Sequence, residues 1–141
     1  MITFKHFLSV VFLIGTVVIL SMTSSLQAQQ LTASIDISAK EARILLAKDT
    51  NAVLLDVRSP GEYTEERIAN TPLMPLQFLE KKINELNHYK HKKIVVYCHS
   101  GNRSELAVEI LREYGFHALN MQGGILQWKA QKFPTISGAV R

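Results

Sequence analysis

Ile94-Val95-Val96-Tyr97-Cys98-His99-Ser100-Gly101-Asn102-Arg103-Ser104 decides the fold of this chain. Four apolar residues in a row, without polar alternation, are the pattern of a strand covered on both faces of a parallel sheet. The run ends on Cys98, the only cysteine in 141 residues. After a short polar loop, Ser104 to Tyr114 reads as a helix with Leu106, Ala107, Ile110 and Leu111 inward and Gly115 as its stop. A strand that hands a thiol to a loop ahead of a helix N-terminus makes that thiol reactive. Loop N–H groups can form a nest around sulfur, the helix start adds positive potential, and Arg103 adds a full charge. Gly101 lets the loop bend back, and Ser104 is placed to cap the helix and donate to sulfur.

Working outward, Ala52-Val53-Leu54-Leu55 is a second apolar run, ending on Asp56-Val57-Arg58. Leu31 to Ile35 is a short extended entry. Ser38-Ala39-Lys40-Glu41 is a capping box that opens a helix to about Lys48, with Ala42, Ile44, Leu45, Leu46 and Ala47 as its apolar face. Ser59-Pro60-Gly61-Glu62 opens a short helix to about Arg67. Thr71 to Leu76 is extended and interrupted by proline. Gln77 to Tyr89 reads as one amphipathic helix, with Phe78, Leu79, Ile83 and Leu86 on its apolar face. Phe116 to Met121 is a further strand, Gln122-Gly123-Gly124 a tight turn, and Ile125 to Ala130 a last helix carrying Trp128 into the core. Alternation of strand and helix predicts an α/β domain with a central, mostly parallel sheet flanked by helices on both faces. Loops Asp56–Glu62, Cys98–Arg103 and Met121–Gly124 then fall at the carboxyl ends of strands, where open α/β sheets bind ligands.

The N-terminus has a different character. Lys5 and His6 precede an uncharged apolar run, Phe7 to Leu20, followed by small polar residues and Leu26-Gln27-Ala28. That is the pattern of a secretory signal peptide over residues 1–28, cleaved after Ala28, and it implies an exported, periplasmic protein. An uncleaved membrane anchor is the alternative, although the run is shorter than the ~20 apolar residues a spanning helix needs. After cleavage no stable membrane contact is expected. All but one of the 16 Lys and Arg follow this segment and face 12 Asp and Glu, a mild positive excess. Lys90, Lys92 and Lys93 cluster beside His91, but no aromatic interleaving accompanies them, so no nucleic-acid partner is indicated. One cysteine cannot form an internal disulfide. It is buried filler, half of a bridge to another chain, or the working group; a monomer is the simplest expectation.

Residue type alone assigns roles around the loop. Cys98 is the nucleophile, and Arg103 offers a fork of donors to an oxyanion. His99 is a candidate acid or base, or a loop side chain facing solvent. Ser100, Gly101, Asn102 and Ser104 would shape the substrate cradle. Asp56 and Arg58 can support it from the neighbouring strand end; alternatively Arg58 pairs with Glu62 to hold the helix start. No cofactor and no metal are called for.

Three blocks carry a family resemblance: Leu55-Asp56-Val57-Arg58-Ser59-Pro60-Gly61-Glu62-Tyr63, Val96 to Ser104, and Gly123-Gly124-Ile125-Leu126-Gln127-Trp128. In this order they resemble the single-domain rhodanese-like sulfurtransferases, over roughly Ile35 to Phe133. The resemblance implies a domain at 35–135 with a short tail at 136–141. It implies that Cys98 accepts a sulfane sulfur from a small anionic donor such as thiosulfate and passes it, as a persulfide, to cyanide or another thiophilic acceptor. Size and export are most similar to the periplasmic thiosulfate sulfurtransferases. One block departs from the family pattern: Glu66-Arg67-Ile68-Ala69-Asn70-Thr71 stands where Gly-His-Ile-x-Gly-Ala is usual. Asn70 is a residue that tolerates the left-handed backbone a glycine position needs. Two rivals remain. A non-enzymatic carrier would hold the persulfide for a partner protein. A Cys-dependent phosphatase or arsenate reductase would use a longer loop than the four residues between Cys98 and Arg103.

Overall fold

The apolar runs become neighbouring strands. The computed structural model describes residues 35–138. Residues 1–34, which include the segment read as an export signal and most of the extended stretch after it, and residues 139–141 lie outside the described residues. The chain runs β1 (Asp36–Ile37), α1 (Ala39–Lys48), β2 (Ala52–Asp56), α2 (Pro60–Glu65), α3 (Leu76–Leu79), a 3-10 helix (Ile83–Tyr89), β3 (Lys93–Tyr97), α4 (Asn102–Glu113), β4 (His117–Met121) and α5 (Gly124–Ala130). The strands form one sheet in the order β1-β4-β3-β2, and every pairing is parallel.

β3 is an inner strand, and its side chains alternate between two cores. Ile94, Val96 and Cys98 face one core with Leu79, Ile83, Leu86 and the α4 residues Ala107, Val108 and Leu111. Val95 and Tyr97 face the other, with Ala39 and Ala42 of α1 and Ile125 and Trp128 of α5. Helices therefore cover both faces. Each Val, Leu or Ile side chain fully buried in this way contributes about 1.5–3 kcal/mol. Among the described residues no helix is long and apolar enough to cross a membrane.

Both capping boxes form: the Ser38 side chain accepts from Glu41 N–H, and that of Ser59 from Glu62 N–H. Gly115 stops α4 with φ +81°; its N–H reaches Arg112 O at 2.9 Å, and Phe116 N–H reaches Leu111 O at 3.0 Å. Asn70 takes φ +57°, so the departure from the family pattern keeps the left-handed corner.

Four expectations are corrected. Gln77–Tyr89 is not one α-helix. It breaks into α3 and a 3-10 helix in which Ile83, Leu86 and Tyr89 recur every third residue, the period of that helix. Phe78 is left exposed. On α1 the buried stripe is Ala39 and Ala42, with Leu45 and Leu46 partly covered, while Ile44 and Ala47 lie off it and are exposed. On α4 the stripe is Ser104, Ala107, Val108 and Leu111, at i, i+3, i+4 and i+7, and Leu106 falls outside it. α4 also starts earlier, at Asn102, so its N-cap is Gly101 and not Ser104.

Candidate active site

Cys98 leaves the end of β3 with only 1% of its surface exposed. The next residues bend back because Gly101 adopts φ +107°, which few side chains tolerate. This bend sends the Gly101 N–H to the Cys98 Sγ at 3.1 Å. The Ser104 hydroxyl lies 3.5 Å from Sγ and 2.9 Å from the Gly101 carbonyl, and its single proton serves one of them at a time. Burial pushes the Cys98 thiol up, but the Ser104 hydroxyl and the N–H groups of Ser104, Gly101 and Ser100 outweigh it and hold the thiol below its ordinary value.

A second element shapes the loop from outside, and the sequence signal for it is the Gly123-Gly124 pair. The first turn of α5 donates to the loop carbonyls: Ile125 N–H to Cys98 O at 2.9 Å and Leu126 N–H to His99 O at 3.2 Å. With those carbonyls turned toward α5, the loop N–H groups are free to face sulfur. Gly124 permits the approach. A β-carbon there would lie 2.4 Å from Cys98 O and 2.5 Å from His99 O.

The donor fork of Arg103 is engaged within the protein. Its guanidinium makes a bidentate pair with Glu62, Nη2 to Oε1 at 2.7 Å and Nη1 to Oε2 at 2.9 Å. The same carboxylate accepts from the Ser59 N–H and hydroxyl. The bond from Arg103 is the main reason the Glu62 carboxyl sits far below the usual carboxylate range. The pairing of Arg58 with Glu62 considered from the sequence does not occur. Arg58 turns instead to Asp56, Nη2 to Oδ2 at 2.7 Å and Nε to Oδ1 at 3.0 Å, and also donates to Glu66 O at 2.7 Å. Asp56 and Arg58 are both buried. Under them Tyr97 accepts from Ile68 N–H, and burial, followed by the Asp56 charge, drives its hydroxyl well above the usual phenol range. This network is a floor for the site.

A cleft of about 490 Å³ opens above the loop, walled by Arg58, Glu62, His99, Arg103, Leu126 and Lys129. His99 is exposed at its rim, and Ser100 and Asn102 are exposed beside it. Neither Ser100 nor Asn102 makes a side-chain hydrogen bond among the described residues; Ser100 acts on sulfur through its N–H. Ser137 completes the rim. It is held there because Arg67, buried where the family pattern has histidine, donates through Nη1 to Gly138 O at 2.6 Å, while Arg67 and Ile136 exchange backbone hydrogen bonds. The described part of the tail is therefore stitched to the domain. A larger cleft, about 600 Å³, opens at the opposite end of the sheet between Lys93, Arg112, Phe116 and His117, far along the strands from Cys98. Among the described residues no group of three His, Cys, Asp or Glu is placed to hold a metal ion.

A family model for the rhodanese-like domain matches residues 38–131. The chain belongs to the rhodanese-like domain family. A sulfurtransferase of Allochromatium vinosum is 30% identical over 93 residues, 65% of this chain and 85% of that one. The adenylyltransferase and sulfurtransferase MOCS3 of Arabidopsis thaliana is 35% identical over 117 residues, 70% of this chain but 25% of that protein. The chain spans half or less of several other curated relatives it matches. Among solved structures, a rhodanese-related protein from Thermoplasma volcanium superposes with a TM-score of 0.65 at 33% identity, covering 72% of this chain and 96% of that one. The rhodanese-like α/β fold read from the sequence is thus the fold of the chain, and its family is one of sulfurtransferases and sulfur carriers.

Proposed function

We propose that this rhodanese-like domain is a sulfurtransferase that works through a persulfide on Cys98, with thiosulfate-type anions as donors and cyanide or a thiol as acceptor. The observation that supports this most directly is the buried Cys98 Sγ with the Gly101 N–H aimed at it from 3.1 Å. The Cys98 thiolate attacks the outer sulfur of the donor. The donor S–S bond breaks, its electron pair leaves on sulfite, and Cys98 becomes a persulfide anion. The acceptor then attacks the terminal sulfur, the Cys98–sulfur bond breaks, and the electron pair returns to the thiolate. Loop N–H groups stabilise the negative sulfur in both halves of the cycle without being consumed.

Phosphatase chemistry fits the geometry poorly. Besides the short loop, the Asp56 carboxylate is taken up by Arg58 and is not free to act as a general acid. Residues 1–28 are proposed to direct export, and the exported domain to act as a monomer without cofactor.

Intact-mass measurement of the secreted protein after thiosulfate treatment tests the reading. The expected result is a chain starting near Gln29 that gains one sulfur atom, with no gain for Cys98→Ser at unchanged fold. Equal labelling of both proteins refutes the assignment. Steady-state thiocyanate release from thiosulfate and cyanide then separates a turnover enzyme from a carrier that delivers sulfur only to a protein.

A further inference from the structure

Each cation lining the cleft beside the Cys98 loop already has a carboxylate. Arg103 is held by Glu62 at 2.7 Å, Lys129 by Glu66 at 2.5 Å, and the buried Arg58 by Asp56 at 2.7 Å. Glu65 lines the same cleft, and no described cation forms an ion pair with it. Three cations therefore face four carboxylates, and the Cys98 thiolate that attacks the donor adds another negative charge when it forms. The side-chain charges of such a mouth give no net positive field to draw in a dianion. Glu62 matters most in this balance. It occupies the donor fork of Arg103, the one loop side chain suited to a sulfonate, and its four hydrogen bonds keep it ionised.

We propose that Glu62 selects the donor by charge, so that the site takes sulfane-sulfur donors carrying one negative charge in preference to dianions. The proposal rests on the sulfur-transfer reading above. Two donors isolate the effect. In thiosulfate and in methanethiosulfonate the Cys98 thiolate attacks the same kind of outer sulfur and the same S–S bond breaks. The electron pair leaves on dianionic sulfite in one case and on monoanionic methanesulfinate in the other. The persulfide formed is identical, and the substrates differ by one charge.

The experiment measures kcat/KM for both donors, with cyanide as acceptor, in the wild type, Glu62→Gln and Glu65→Gln. Glutamine keeps the capping box on Ser59, so α2 retains its start. Removing a charge a few ångströms away at a hydrated mouth should raise kcat/KM about tenfold for thiosulfate and about threefold for methanethiosulfonate. The thiosulfate-to-methanethiosulfonate ratio then shifts about threefold, and the shift shrinks in roughly 1 M salt. Glu65→Gln should move the ratio in the same direction by less, and it keeps the test alive if Glu62→Gln fails to fold. A ratio unchanged in both variants, or moved toward the monoanion, overturns the charge-selection proposal while leaving sulfur transfer standing. A wild type that takes sulfur from neither donor overturns the sulfur-transfer reading itself, and the proposal with it.

Discussion

Gly124→Ala would place a methyl carbon 2.4 Å from the Cys98 carbonyl oxygen and 2.5 Å from that of His99. Carbon and oxygen in close contact normally stand about 3.3–3.6 Å apart, so the overlap is about 1 Å. Both obstructing atoms are main chain, and α5 holds each by a hydrogen bond, so no rotamer change relieves the clash. Position 124 also has φ +53°, where alanine costs about 1 kcal/mol more than glycine. Overpacking of this kind costs about 1–3 kcal/mol, and each amide–carbonyl bond weakened by the shift about 1 kcal/mol. With both bonds weakened the expected loss is therefore about 4–6 kcal/mol, a large part of a typical domain's stability. A loop displaced by about 1 Å also carries the Gly101 N–H off the sulfur, and misplacement of that size slows reactions roughly a hundredfold. Urea titration followed by Trp128 fluorescence reads the first effect, and the rate of persulfide formation reads the second. Gly61→Ala is the matched control. Its new β-carbon meets nothing within 4 Å, and it sits in α2, where alanine is the better helix former. A Gly124→Ala protein that loses under about 1 kcal/mol and loads sulfur at the wild-type rate would refute the view that α5 shapes the loop.

Three further outcomes follow from the same geometry. Asp56→Ala leaves the buried Arg58 guanidinium without its carboxylate and should cost about 3–5 kcal/mol in denaturant titration; a loss below about 1 kcal/mol would mean that Arg58 escapes to water. Ser104→Ala removes the hydroxyl that helps hold the Cys98 thiol low, so the pH midpoint of iodoacetamide alkylation should move upward, and an unmoved midpoint would show that the loop N–H groups suffice. The Glu62 carboxyl is held below its ordinary value of 4.5 in the folded protein, so its contribution is fully present above that pH and is lost as the pH falls toward the folded value. Acid titration of Glu62→Gln should accordingly be flatter below about pH 4.5 than that of the wild type, and parallel curves would count against the pair.

Features written in adjacent residues were legible without coordinates. The apolar run into Cys98, both capping boxes, the Gly115 stop and the left-handed tolerance of Asn70 all depend on neighbours in sequence. Contacts across the chain were not. Glu62 has Arg58 four residues away, the spacing at which opposite charges attract on a helix, yet Arg58 lies before the helix begins and is captured by Asp56. The real partner, Arg103, is 41 residues on. From Ile83 onward the spacing of Ile83, Leu86 and Tyr89 fits a 3.0-residue period as well as a 3.6-residue one, and only packing under the sheet separates them. Ser104 reads as a cap because serine favours that position, but the backward bend at Gly101 starts the helix two residues earlier and turns the hydroxyl toward sulfur. The role of Arg67 in fixing residues 136–138 left no local signal at all.

β1 is only two residues long, and its partners are Asn120 and Met121, with the Asp36 carboxylate also accepting from Asn120 Nδ2 at 2.8 Å. The first strand described is therefore joined to the last, across 84 residues of sequence. Loop closure over such a span is entropically expensive, and contacts of long sequence separation form late. The β2–β3–β4 sheet can assemble before this edge is sealed. Folding should then end with a docking step, and native-state hydrogen exchange should find the Asn120 amide, which donates to Ile35, opening ahead of those in β3.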